Sequence, residues 1–448
     1  MAETLKSMYN GGTAGVLFTD RRDFYVSPQV VKELWTDVAP FTTVISNRET
    51  RKVPDPIFKM FEHRNPWVKQ KFTAGSGSAT SIADNDTGVA VDTITAITGL
   101  SSSVDDSWLG LVCECWNAAE DTKLGVVVIK TITSADHVKV VSLSGAFSPT
   151  ATSIYHVIGN AQGEGMTSPE AWSDELQVVY NSSQIFKTPL QITGTLLAAS
   201  LRGESSELAR LRAQKNQEHK MQKEKAFLFG SRVGGTGLGE SAYDAGNKAS
   251  NVDETFADNG RIDTAGNVIR TTYGVVSAMD KYGESGSYDY QNIFSVSEAS
   301  YTYGSFVDDM EKVFQYVPEA GVKRAFCGAG ALGYWSKMAG TTGMAGNSGW
   351  TVNLSDMRRD SLGFNYKILE TPHGILQLIP TPAFRGPYNK YMLVVSEENL
   401  FHAQYRSPMY QANIKTDNAF DGVKDQYFSD EGIGMTLMES HHLFKVTA

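Results

Sequence analysis

The longest helical signal in the chain runs from Glu204 to Phe229, and its polarity limits what can surround it. Ser205, Ser206 and Glu207 stand where caps and first-turn acids belong. At a rise of ~1.5 Å per residue the helix would be about 38 Å long. Leu208 and Leu211 mark one end; Met221, Ala226, Phe227 and Leu228 mark the other. The stretch between, from Gln214 to Lys220, is polar all round. Such a rod cannot sit in an apolar core and is expected to bridge solvent or lie along other molecules. From Arg202 to Lys225 there are seven Lys/Arg against four Glu, in a chain whose net charge is -10. Arg210, Arg212, Lys215, Lys220 and Lys223 make up most of that excess. Their plainest role is a solvated face braced by pairs such as Lys220–Glu224, each worth ~0.2–0.5 kcal/mol.

At 448 residues and 41% hydrophobic composition, the chain reads as globular, with two or three structural units. With Asp+Glu 50 against Lys+Arg 40, it lacks the cation excess of a dedicated DNA or RNA grip. Any nucleic-acid contact is expected to be local and non-specific. Cys113, Cys115 and Cys327 are too few for a disulfide framework and form no CxxC pair. Cys113 and Cys115 share one face of a strand, and all three read as small apolar residues. Met1 to Asn10 has no signal-peptide core, and no apolar run approaches the ~20 residues of a membrane span. The expectation is a soluble protein, without a membrane partner, made in a reducing cytoplasm.

Ser27-Pro28 opens a short helix with Val31, Leu34, Trp35 and Val38 on one face, which Pro40 is expected to stop. Phe41 to Met60 reads as extended, and Thr73 to Thr87 as a flexible connection. From about 88 to 158 short strands follow: Leu109, Leu111, Cys113 and Cys115 alternate with polar positions, then come Leu124 to Thr133 and Val138 to Val141. These predict a small β-sandwich or barrel inserted between flexible joints. Gln177 to Tyr180 and Gln184 to Thr193 are extended. After the long helix, Gly230 to Asn267 is too poor in apolar residues for a packed element. Tyr273 to Tyr282 predicts a helix. Ser305 is placed as the cap of another, whose Phe306, Met310, Val313 and Phe314 share a face. A strand at Phe326-Cys327, a helix over Ala331 to Met338 and strands at 366–369, 375–379 and 391–395 complete a compact α+β unit. Asn399 to Ala448 reads as strands returning onto earlier elements. The long loops cannot bury enough surface alone, and ordering them costs ~1–2 kcal/mol per residue, so compensating burial must come from outside the monomer.

No constellation of catalytic residues emerges. Gly234-Gly235-Thr236-Gly237-Leu238-Gly239 lacks phosphate-loop spacing and trails a helix. His441-His442 with Glu439 could suggest a metal, but adjacent histidines on a strand point to opposite faces. Gly283 to Ser287 only approximates a nucleophile elbow, and Cys327 has no base to activate it. Asp258 to Gly266 falls short of a calcium loop and reads as turns. No cofactor is expected, and the chain does not read as an enzyme.

The order of elements resembles the major capsid proteins of tailed phages, the Hong Kong 97-type capsid fold. Val38-Ala39-Pro40-Phe41-Thr42-Thr43-Val44-Ile45 is similar to the segment before that family's extended loop, and Phe61-Glu62-His63 to the start of the loop. Gly159-Asn160-Ala161 and Glu164-Gly165, then Asn181 to Phe186 and Thr193-Gly194-Thr195, resemble the return into the spine helix. Glu224 to Gly230 resembles that helix's end. Gly363-Phe364 to Leu369, Thr371-Pro372-His373-Gly374 and Tyr391 to Val395 resemble the strands of the axial domain. Gly432 to His442 resembles the last peripheral segment.

The resemblance implies an α+β fold with an N-terminal arm (1–50) and an extended loop (51–187) carrying the β-insert at about 88–158. A peripheral domain (188–290) would hold the spine helix at 204–229. An axial domain (291–395) and a C-terminal return to the peripheral domain (396–448) would follow. It implies a major capsid protein of a double-stranded DNA bacteriophage, forming hexamers and pentamers of itself in an icosahedral virion capsid. Assembly would occur in the bacterial host cytoplasm. A separate scaffold protein, a portal and decoration or cement proteins are the implied partners, with weak, non-specific contact to the packaged DNA. Phe61, Glu62, Trp67, Gln184 and Phe186 are the implied intersubunit contacts. Arg210, Arg212, Lys215, Lys220 and Lys223 are the implied lumen-facing basic face. Two structural alternatives share these features: an encapsulin-like compartment shell, and a phage tail or adhesion protein using the insert as a binding module.

Overall fold

A computed structural model describes residues 39–447 apart from 64–69, 75–80, 83–88, 92–93, 99, 101–102, 151, 166, 170, 172–175, 199–206, 232–260, 263–267, 284–290, 316–320, 341–352, 355–357, 360–364 and 415–420. Trp67, the helix expected at 27–40 up to residue 38, and the glycine-rich stretch at 234–239 lie outside the described residues. The chain divides into two compact units, one of residues 1–61 with 178–448 and one of residues 62–177.

In the first unit, α1 spans Pro40–Arg48 and buries Pro40, Phe41, Val44 and Ile45. The sequence reading made Pro40 a stop and the residues after it extended. Pro40 instead begins a helix, because at the first position its missing N–H goes unused and its fixed φ suits the turn. The Ala39 cap offers no side chain to the free amides. Glu224, far along the chain, supplies one in its place. Its Oε1 accepts from the Phe41 N–H at 3.0 Å, and its Oε2 accepts from the Thr42 N–H at 2.7 Å and the Thr42 hydroxyl at 2.6 Å. A buried carboxylate thus satisfies the orphan donors and the positive end of the dipole together. Strands β1 (Thr50–Lys52) and β2 (Ile57–Glu62) follow.

The second unit holds β3 (Lys71–Ala74), β4 (Val89–Val91), β5 (Ile94–Thr98), β6 (Leu111–Trp116), β7 (Lys123–Ser134), β8 (His137–Ser142) and β9 (Ile154–Asn160). Lys71–Ala74 is a strand overlapping the stretch read as a flexible connection, so the sheet begins before residue 88. The strand order is β4-β8-β7-β6-β9-β3-β5. The two edge strands, β4 and β5, are consecutive in the chain. Three residue steps span at most ~11 Å, so the sheet curls enough to bring the linked ends of its two edge strands together. Inside, Phe72 stacks on Tyr155 at 5.0 Å and lies 5.1 Å from Trp108. Cys113, Cys115, Val127 and Ile129 pack with them.

The first unit resumes with β10 (Gln177–Ser182), which pairs with β2, and β11 (Gln184–Thr193). Next come α2 (Gly194–Ala198), α3 (Glu207–Phe229), β12 (Arg261–Ile262), β13 (Val268–Ile269), α4 (Val275–Tyr282), β14 (Ile293–Ser297) and α5 (Tyr303–Phe314). Then come β15 (Val322–Cys327), α6 (Ala329–Gly340), β16 (Asn353–Leu354), β17 (Arg358–Arg359), β18 (Asn365–Glu370) and β19 (Ile375–Pro380). The chain ends with β20 (Tyr391–Val395), β21 (Leu400–Gln411), β22 (Gly422–Met435) and β23 (His442–Thr447). Helix α5 is capped by Thr302, whose hydroxyl accepts from the Ser305 N–H at 3.3 Å, so Ser305 is not the cap.

Four strands form the sheet β1-β21-β22-β11, against which α3 lies. A larger sheet runs β14-β23-β20-β15-β19-β18-β16, with β17 on β18. Residues 396–448 divide between the two sheets: β21 and β22 pair alongside β11. β23 inserts between β14 and β20 and completes the sheet of the 291–395 region. Its residues His442, Leu443, Phe444 and Val446 are buried on both faces, which suits a central strand and no edge.

Replacing Glu224 with Ala strands the α1 amides in a buried site and is expected to lower stability by ~2–4 kcal/mol, with Glu224→Gln recovering part of the loss. Chemical unfolding followed by circular dichroism reads it. In the curled sheet, Trp108→Ala removes the largest core side chain and is expected to cost ~3–5 kcal/mol. Calorimetry is expected to place that loss in the unfolding of residues 62–177.

Candidate assembly surfaces

The polar middle of α3 meets a strand of matching polarity. β22 carries Asp425, Ser429, Asp430 and Glu431, all fully buried. Arg212 Nη2 lies 2.8 Å from Asp425 Oδ2, which also accepts from the Tyr410 hydroxyl, while the Asn413 N–H donates to Oδ1 at 2.8 Å. Burial pushes the Asp425 carboxyl up, but these three donors together hold it below the usual carboxylate range. His219 bridges β11 and β22, with Nδ1 3.0 Å from the Thr188 hydroxyl and Nε2 3.0 Å from that of Ser429. Lys223 Nζ and His402 Nε2 lie 3.1 Å and 3.3 Å from Glu431 Oε2, off the angles of true hydrogen bonds. Burial raises the Glu431 carboxyl, and His402 and Lys223 outweigh that to hold it low.

Helix α3 lays one face on its own chain's sheet, through Arg212, His219 and Lys223, and leaves Glu218 and Lys220 exposed on the other. These contacts also break up the basic face expected of Arg210, Arg212, Lys215, Lys220 and Lys223. Arg212 and Lys223 turn to the buried acids, Arg210 Nε pairs with Glu207 at 2.9 Å, and Lys215 Nζ with Glu218 at 2.7 Å. Lys220 is exposed.

The five residues expected at intersubunit contacts separate in the same way. Phe186 is a core residue, edge-on to Phe227 at 6.2 Å and His219 at 6.3 Å. The period-two pattern of β11 buries it inside its own subunit. Gln184 Oε1 accepts from the Thr272 N–H at 3.3 Å, and Glu62 is buried. Phe61 alone among the four described is open, at 71% exposure, because Phe58, Met60 and Glu62 take the inner face of β2. Val178 on the paired strand β10 is 44% exposed.

His441 and His442 are core groups. The His441 Nδ1 accepts from the Ser396 N–H at 3.3 Å, and the His442 ring stacks on Phe294 at 6.1 Å. Lys323, which the sequence did not single out, is buried beside them and donates to the Ser440 carbonyl at 2.9 Å. Burial pushes Lys323 down to about 7 and His441 down to about 3. The three thiols are buried, and burial lifts Cys113 and Cys327 to about 12. Among the described residues no group of three His, Cys, Asp or Glu side chains gathers to hold a metal.

Burial and the nearby Lys223 push the His219 imidazole down to about 4. In the unfolded chain it takes a proton near pH 6.5, so its contribution is complete above that pH and is lost as pH falls towards 4. Unfolding in urea is expected to show a loss on the order of 2 kcal/mol from this group between pH 7 and 5, and His219→Gln is expected to shrink the pH dependence by that share.

Several solved structures are similar in fold. The capsid of a native GTA particle matches over 96% of this chain and 97% of its own, at 8% identity and a TM-score of 0.43. A chain of Mycobacterium phage Patience matches over 64% of this chain and 76% of its own, at 10% identity and a TM-score of 0.36. The SrpI encapsulin of Synechococcus elongatus PCC 7942 matches over 61% and 76%, at 7% identity and a TM-score of 0.35. No curated protein matches the chain. The sequence profile of the SU10 major capsid protein family matches residues 36–433, nearly the whole of the described chain. With that match over most of its length, the chain belongs to the SU10 major capsid protein family and is a tailed-phage major capsid protein.

Proposed function

We propose that copies of this chain tile an icosahedral head as hexamers and pentamers around packaged double-stranded DNA, assembling in the bacterial cytoplasm. The observation that carries this reading is the open β2–β10 ribbon. Phe61 presents its ring to solvent on a strand whose other face is fully packed. A large exposed aromatic between buried neighbours is what a contact site looks like before its partner arrives. A neighbouring subunit in the shell supplies that partner many times over, so each contact can be weak. In this scheme residues 1–50 act as an arm, 51–187 as the extended loop with its curled sheet, 188–290 as the peripheral part and 291–395 as the axial part. A separate scaffold protein directs curvature, a portal occupies one vertex, and decoration or cement proteins bind the finished head. DNA contact is weak, consistent with the net charge of -10.

The test is expression of the full chain with a scaffold protein, followed by negative-stain microscopy of wild type and Phe61→Asp. Uniform shells are expected from the wild type. The variant is expected to stay as free subunits while its unfolding free energy moves by less than ~0.5 kcal/mol, because the side chain is exposed. Wild-type chain that remains monomeric throughout overturns the proposal.

A further inference from the structure

Two short crossings that join the two sheets of the first unit run side by side. β20 passes into β21 through the turn Glu397–Asn399, and β22 passes into β23 through the turn Met438–Ser440. The Thr436 N–H donates to the Asn399 carbonyl at 3.0 Å, and the Asn399 amide donates to the Ser440 hydroxyl at 2.8 Å. A further tie is the Ser396 N–H, which donates to Nδ1 of His441 at 3.3 Å. From outside the crossings, Lys323 donates to the Ser440 carbonyl at 2.9 Å and the Asn292 amide to the Met438 carbonyl at 3.2 Å. Together these contacts hold Leu437 at φ 47°, a left-handed conformation that a residue with a Cβ keeps only under constraint. The closed turn is therefore strained, and losing a tie favours its opening.

The His441 tie is the one that a proton breaks. A ring nitrogen that accepts an N–H is bare, so the neutral ring carries its hydrogen on Nε2. A second proton can go only to Nδ1, where it meets the Ser396 N–H and displaces it. The ring is fully buried, and its Nε2 has no hydrogen-bond partner of good geometry; the same holds for Nδ1 of His442 beside it. The charged groups on the elements around the turn are engaged elsewhere. Arg324 of β15 pairs with Glu397 at 3.1 Å, Lys312 of α5 reaches Gln291 at 2.7 Å, and Glu398 lies 3.8 Å from Arg48. Glu439 stands half-buried on the turn itself. The carbonyls of Thr436, Lys312 and Ser440 favour a proton on the two rings. Burial and the neighbouring Lys323 outweigh them and hold both rings far below the ordinary histidine range.

We propose that these crossings form a proton-operated latch: charging His441 expels the Ser396 N–H, opens the turn at 436–441 and loosens the joint between the two sheets. The latch belongs to the single chain and does not rest on the shell reading. Because His441 binds its proton less readily in the closed turn than in the open one, closure is fully favoured above about pH 6.5 and weakens as pH falls towards 3. Hydrogen–deuterium exchange of the full-length free subunit, read by mass spectrometry as protection factors at pH 7.5 and pH 5, tests it. Each pH unit below about 6.5 multiplies the open population by about ten. Protection over 396–399 and 436–441 is therefore expected to fall about thirtyfold, while β15 and β20 hold theirs. His441→Asn offers an amide oxygen in place of Nδ1 and takes up no proton, so it is expected to flatten the dependence. Ser396→Pro removes the donor at a position whose φ of -93° a proline can approach. It is expected to show low protection at both pH values. A turn equally protected at pH 5 and pH 7.5 overturns the latch, as does protection that falls equally in β15 and β20. Either variant, once folded, that keeps the wild-type dependence also overturns it.

Discussion

The first unit is organised around a row of buried acids on β22 and the side chains that meet them. Helix α3 brings Arg212, His219, Lys223 and Glu224 to one side of a sheet, and β22 answers with Asp425, Ser429 and Glu431. Buried charges of this kind are costly to strand and give little net gain over apolar packing when paired. What they supply is registration. A helix held by an oily stripe can slide or rotate by a fraction of a turn, whereas ion pairs at fixed heights along the rod hold one setting. Glu224 extends the principle to α1, which would otherwise begin with uncapped amides.

Each unit has a core of its own. Phe72, Trp108 and Tyr155 hold the curled sheet together, and Phe326, Leu393, Val395 and Leu443 anchor the other unit's main cluster. Independent cores mean that the insert does not depend on the main unit's packing for stability. A shell protein benefits from that division, since one unit can be held while the other meets a neighbour.

Much of the architecture was legible in the residues. The polar middle of the Glu204–Phe229 helix, the β-branched run from Leu124 to Thr133 and the face of Phe306, Met310 and Val313 each follow from period and composition. The failures have physical causes. Pro40 carries a stop signal and a start signal in one residue, and only the free amides beyond it, met by an acid 183 residues from Phe41, decide between them. The partner of the polar helix was hidden because β22 reads as too polar for a buried strand. Its acids are tolerable there because Arg212, Lys223, His402 and Arg406 arrive from elsewhere in sequence. Phe186 was expected at a contact through the family resemblance, whereas the alternation of β11 turns it into its own subunit's core.

These features make a subunit whose interior is registered by polar pairs and whose exterior leaves Phe61 open. The most direct measurement is a cryo-electron microscopy reconstruction of shells formed by the full-length chain. The account predicts five- and six-fold rings in which the Arg212–Asp425 pair stays within one subunit and the Phe61 ring is buried by the next. Closed shells with Phe61 still in solvent, or rings held together by exchange of β22 partners between subunits, would contradict it.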